Sequence, residues 1–157
     1  MNETLSVSIE SPQHGFMSLR LKTAGQSFVT VVAHAPYDSL RDLMAALTAL
    51  LDGDCELIVN WNSEPDEYDF RFSSRGDRLL LEIIHYPDHR NLPETAATVF
   101  TFQGPKADAC RAFWEELRDL RSRASRDEFD RQWRRDFPES EMQELTKRMA
   151  RPGAPHD

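Results

Sequence analysis

Cysteine is scarce in this chain of 157 residues, which has Cys55 and Cys110 and no Cys-x-x-Cys spacing. That argues against a disulfide framework, which stapled small domains build from several pairs. Both thiols stand among apolar neighbours and are expected to act as small core residues. Glycine is scarce too, at six residues. None of the six belongs to a phosphate-cradling Gly-x-x-x-x-Gly-Lys, a dinucleotide fingerprint or a Gly-x-Ser-x-Gly elbow. No stretch approaches the roughly 18 apolar residues of a membrane span. The opening Met-Asn-Glu-Thr-Leu-Ser-Val lacks the basic and apolar regions of a signal peptide. A cytoplasmic protein is expected. Excess positive charge is also missing: the formal net charge is -8, which disfavours nonspecific binding to nucleic acid or to an anionic membrane and favours a basic partner.

Aromatic residues are plentiful, with nine Phe, three Trp and three Tyr, and supply large units of burial. The length suits one domain, expected over residues 1–149 with a flexible tail at 150–157. The acid excess is concentrated in residues 53–104, where 10 Asp and Glu face 4 Lys and Arg, whereas residues 105–157 are balanced at 12 and 12.

Period-two alternation predicts a first meander in which Leu5, Val7 and Ile9, then Met17, Leu19 and Leu21, then the β-prone run Phe28–Val32 supply inward side chains. Pro36 ends that pattern. Ser39 is placed to cap a helix whose Leu40, Leu43, Met44, Leu47, Leu50 and Leu51 recur at three- and four-residue steps. A second meander spans Cys55 to Tyr86. Cys55, Leu57, Val59 and Trp61 face one side and Glu56, Ile58, Asn60 and Asn62 the other; Tyr68, Phe70 and Phe72 stand opposite Asp69, Arg71 and Ser73. A type I turn with Pro65 at its second position is expected at Glu64–Glu67, and a tight turn at Ser74–Asp77. After a proline-bounded loop at 87–93, a strand at Ala96–Phe102 closes at Gly104-Pro105. Cys110, Phe113, Trp114, Leu117, Leu120 and Ala124 then follow helical spacing. Ser125 and Glu128 form a capping-box pattern, and Pro138 is expected at the first position of a last helix with Met142, Leu145 and Met149 as its stripe.

Catalytic chemistry finds little footing. His85 and His89 are separated by Pro87, so they cannot share a helical face as zinc-protease histidines do. Cys110 lies on a buried stripe, where a thiolate is disfavoured. Arg126, Arg131, Arg134 and Arg135 are offset by Asp127, Glu128, Asp130 and Asp136. No catalytic residue, metal or cofactor is assigned, and a protein that is not an enzyme is expected. The carboxylates Glu64, Asp66, Glu67 and Asp69 crowd one hairpin; as solvated turn charges they form the candidate surface for a basic partner.

The run from Trp61 through Glu64, Pro65, Glu67 and Tyr68 to Phe72, preceded by the Leu40–Leu51 helix and followed by a Gly-Asp turn, resembles a loose group of short bacterial proteins of uncharacterised function. In layout these resemble the immunity proteins that accompany bacterial toxins. The likeness covers residues 35–137 and brings no catalytic residues with it.

The fold class expected is α+β: one antiparallel sheet of six or seven strands, two main helices on one face and short C-terminal helices. Function is expected as a protein-interaction domain, of immunity type, that meets its partner through an acidic sheet and hairpin. The alternative is a small-molecule-binding domain with a pocket between sheet and helices lined by Trp61, Tyr68, Phe72 and Tyr86. Ile58, Leu80, Ile84 and Tyr86 on the outer sheet face point to a homodimer.

Overall fold

The computed structural model describes residues 3–151; most of the expected 150–157 tail lies outside them, and Ala150 is still the last residue of a helix. Strands β1 (Ser6–Ile9), β2 (Phe16–Lys22) and β3 (Ser27–Ala33) form one antiparallel sheet. Strands β4 (Glu56–Ser63), β5 (Asp66–Arg75), β6 (Arg78–Tyr86) and β7 (Ala97–Pro105) form a second. Helix α1 (Ser39–Leu51) joins the sheets, a short 3-10 turn (Pro93–Thr95) precedes β7, and α2 (Lys106–Ser122), α3 (Arg126–Trp133) and α4 (Glu139–Ala150) follow it among the described residues.

Among the described residues the architecture is thus α+β with seven strands, but in two sheets rather than one. The α1 crossover carries the chain away from β3, and β3 and β4 share no hydrogen-bonded ladder. They touch through the Thr30 and Ser63 hydroxyls, 2.8 Å apart. The sheets meet through their inner faces, where Phe28 of β3 stacks edge-on against Tyr68 and Phe70 of β5 at ring distances of 5.0 and 6.1 Å. Open edges are closed by side chains. The Gln26 amide donates to the Thr101 carbonyl at 2.8 Å and accepts the Thr101 N–H at 3.0 Å, standing in for a strand beside β7. Along β1, Glu116 accepts the Ile9 N–H at 2.7 Å and Arg123 donates to the Ile9 carbonyl. Such covering blunts an edge that would otherwise invite pairing.

The apolar stripe of α1 is buried through Leu40, Leu43, Met44, Leu47 and Leu50, and that of α2 through Cys110, Phe113, Leu117 and Leu120. Phe113 meets Phe72 at 6.1 Å. These contacts join both sheets and the helices in one core. Several local expectations shift. Asp38, not Ser39, occupies the N-cap of α1 without a side-chain cap, and Ser39 instead donates to the Asn60 carbonyl. Pro138 is the N-cap of α4, one residue before its first turn. Strand β7 runs on through Gly104 and Pro105 directly into α2. Cys55 is exposed, because it precedes β4 at the sheet's end, whereas Cys110 is buried and burial pushes its thiol up to about 12. The Ser125 cap holds as expected, its Oγ accepting the Glu128 N–H at 3.1 Å. No helix among the described residues is long and apolar enough to cross a membrane.

Candidate functional site

Residues of β5 alternate between two environments, as period two requires. Phe70 and Phe72 enter the core, while Glu67, Asp69, Arg71 and Ser73 face the other side. Away from the core, these groups would ordinarily be solvated. Yet Glu67 is only 4% and Asp69 only 8% exposed. Cross-strand register explains it: Glu67 lies between Asn62 of β4 and Tyr86 of β6, and Asp69 between Asn60 and Ile84. The segment after β3 adds Tyr37, whose hydroxyl donates to Glu67 Oε1 at 2.8 Å.

The two buried carboxylates are served differently. Asp69 accepts from Asn60 Nδ2 at 2.7 Å and from the Tyr86 hydroxyl at 3.4 Å, and lies 3.6 Å from the Arg71 guanidinium. Arg71 also donates to the Tyr86 hydroxyl at 3.0 Å. Glu67 has the Tyr37 hydroxyl and no cation among the described residues. Burial and then the hydrogen bond to Glu67 push the Tyr37 phenol up to about 12, so it stays a donor throughout the physiological range. Arg71 Nε and Asn91 Oδ1, at the margins of this polar layer, are buried without partners.

Beside Glu67 opens a pocket of about 440 Å³ lined by Pro36, Asn62, Glu64, Pro65, Glu67 and His89. Asn62, 7% exposed, holds its two sides together. Its Nδ2 donates to the Ala35 carbonyl at 2.7 Å and its Oδ1 accepts the Glu64 N–H at 3.1 Å. Each of these residues precedes one of the pocket's prolines, and both of those peptide bonds are cis. The hairpin loop is therefore the two residues Glu64-Pro65 between paired Ser63 and Asp66. Pro65 takes the third position of the turn, not the second as expected, and Glu64 has φ 30°.

Of the four hairpin carboxylates, Glu64 is exposed at the pocket rim and Asp66 is half-buried, with its Oδ1 2.7 Å from His85 Nε2. Glu67 and Asp69 are taken into the polar layer, so the expectation of four solvated turn charges fails for these two. The outer face of the second sheet is also less acidic than the local count suggested. Glu56 and Glu82 share it with Arg71, Arg75 and Arg78, which fall on the same side by strand parity.

The four aromatic residues assigned to a pocket between sheet and helices do not converge. Trp61 and Phe72 are 1% exposed in the core, Tyr68 is half-buried on the same face against Phe28, and Tyr86 lies on the opposite face with Asp69. Ile84 and Tyr86, 6% and 5% exposed, are covered within the chain, whereas Ile58 is 58% exposed. Less apolar surface is therefore left for a homodimer than the alternation implied.

Sequence reasoning missed Tyr37, Asn62 as a clamp, Pro36 and His89. A signal was present in Asn60 and Asn62, two amides within an apolar strand and on the same face as Glu67 and Asp69. A larger open hollow of about 590 Å³ lies between β1 and α2, and two of its acids are paired within the chain: Arg123 contacts Glu116 at 2.7 Å and Asp119 at 3.1 Å. Among the described residues, no group of three or more His, Cys, Asp or Glu is arranged to hold a metal ion. No protein-family model matches this chain, and the searches of curated sequences and of solved structures gave no match.

Proposed function

We propose that this chain is a non-enzymatic protein-interaction domain that engages a basic partner at the Glu64-Pro65 end of its second sheet. The observation that carries this reading is Glu67, a carboxylate 4% exposed with one neutral donor, set against an open pocket. An ionised carboxylate offers about four acceptor sites, and the Tyr37 hydroxyl fills one of those of Glu67. Its neighbour Asp69 has Arg71; Glu67 keeps acceptor capacity beyond the Tyr37 bond to which a partner's cation could donate. Glu64 at the rim adds a second negative charge, and Asp66 a third nearby.

The likeness to immunity proteins supplies one form for such a partner, a toxin with a basic face. The other reading, a small-molecule pocket between sheet and helices, is opposed by the close packing of Trp61, Phe70, Phe72 and Phe113 there, each 1% exposed or less. The test is fluorescence polarisation with labelled peptides rich in Lys and Arg, against the protein and its Glu64→Lys/Asp66→Lys variant. Both substitutions lie outside the buried network. Binding should weaken with salt and fall at least about tenfold in the variant, as expected when close opposite charges are reversed. Equal affinity of the variant, or no binding of any basic peptide, overturns the reading.

A further inference from the structure

We propose that the pocket beside Glu67 receives a single arginine side chain of the partner, in preference to lysine. This rests on the reading of the hairpin end as the surface that meets a basic partner, and names the group that enters it.

The floor and rim of the pocket carry more acceptor than donor capacity, with the carboxylates of Glu67 and Glu64 set against one remaining Asn62 amide hydrogen and the His89 ring. One Asn62 amide hydrogen is donated to the Ala35 carbonyl and its carbonyl accepts the Glu64 N–H. The Tyr37 hydrogen is spent on Glu67 Oε1. What is left facing a guest is the remaining capacity of the Glu67 carboxylate below and the Glu64 carboxylate above, with His89 at the mouth. An anion would meet two negative charges; a cation with several hydrogens meets two acceptors at different depths.

Guanidinium and ammonium differ in how they use such a space. Arginine carries five N–H donors in a rigid plane and is weakly hydrated, so it can be stripped of water and can serve two carboxylates at once. Lysine is a compact, strongly hydrated point charge that would have to surrender its shell against two proline rings offering nothing in return. Pro36 and Pro65 give apolar walls against which a flat group and its aliphatic stem can lie. The walls are fixed in advance: one side chain, Asn62, grips the residue before each proline. Little ordering is left to be done on binding, which favours discrimination.

The experiment is an NMR titration of the full chain with three peptides identical except at one central residue, Arg, Lys or citrulline, followed at the backbone amides of Asn62, Glu64, Glu67 and His89. Citrulline keeps the shape of arginine without its charge. The Arg peptide is expected to bind at least about fivefold tighter than the Lys peptide, with shifts concentrated at those four amides, and citrulline to bind weakest. Glu67→Gln, which keeps the shape and the Tyr37 hydrogen bond, should erase the Arg preference; Glu64→Gln, at an exposed position, should reduce it and guards against a Glu67 variant that fails to fold. Equal Arg and Lys affinity, or shifts confined to another surface, overturns the arginine assignment and leaves the basic-partner reading standing. If none of the three peptides binds and the Lys- and Arg-rich peptides also fail, both fall.

Discussion

Replacing Glu67 by Gln should separate stability from binding. In the free protein Glu67 is 4% exposed, its one donor is neutral, and no cation among the described residues pairs with it. A hydrogen bond to a charged group is worth about 1.5–3 kcal/mol, and glutamine keeps the Tyr37 bond as a neutral one worth about 1 kcal/mol. The net expectation is a small change, a loss of no more than about 1 kcal/mol, because the variant gives up no ion pair. For a chain of this size, about 2–4 °C in Tm accompanies each kcal/mol. Asp69→Asn is the internal control. Asp69 is held by Asn60 at 2.7 Å and faces Arg71 at 3.6 Å, so the same chemical change breaks a satisfied network and should cost about 2 kcal/mol. Urea unfolding at neutral pH, read by tryptophan fluorescence and far-UV circular dichroism, gives both values. The reasoning is refuted if Glu67→Gln loses more than about 1 kcal/mol, or if the two variants respond alike.

Other outcomes follow from the packing and the ion pairs. Phe28→Ala removes the ring that joins β3 to Tyr68 and Phe70 and should cost about 3–5 kcal/mol in urea unfolding. Ser125→Ala deletes the cap on Glu128 N–H and should cost about 1 kcal/mol by the same measurement. The Arg148 hydrogen bond holds the Asp52 carboxyl below its ordinary value. Its stabilisation is therefore complete above the unfolded carboxylate pKa, about 3.9, and is lost as pH falls through the lower folded value. Arg148→Ala should flatten that part of the acid limb of a stability–pH curve, and an unchanged limb would contradict it. Thiol titration of the native protein should find Cys55 reactive and Cys110 silent until denaturant is added, given their exposure and the raised Cys110 thiol.

Strand and helix identities were legible because their periods are strong. Met17, Leu19 and Leu21 alternate, and Cys110, Phe113, Leu117 and Leu120 step along one helical face; all but the terminal boundaries follow from these. The division into two sheets was not legible. Nothing in Ser27–Ala33 or Glu56–Ser63 says which neighbour a strand edge will take, and the edge of β7 is closed by residues far off in sequence, Gln26 at Thr101 and Glu3 at Gln103. At the candidate site, alternation gave the correct side for Asp69 but not its burial, and Glu67, expected in the turn, is instead a buried strand residue. That depends on Tyr37, which arrives from the segment between β3 and α1, and on cross-strand amides at Asn60 and Asn62. A carboxylate in a hairpin reads as solvated until its tertiary neighbours are known. The same limit explains the aromatic residues: Trp61 and Tyr86 look equivalent in composition, yet strand parity sends them to opposite faces.

The most direct measurement is the carboxyl carbon resonance of Glu67, observed by NMR in protein labelled with carbon-13 at glutamate and assigned through Glu67→Gln. Addition of the Arg peptide should move that resonance to saturation while the Glu82 signal stays in place, and the citrulline peptide should leave both unmoved. An immobile Glu67 resonance under a peptide that demonstrably binds would mean that the buried carboxylate is not where the partner's cation goes.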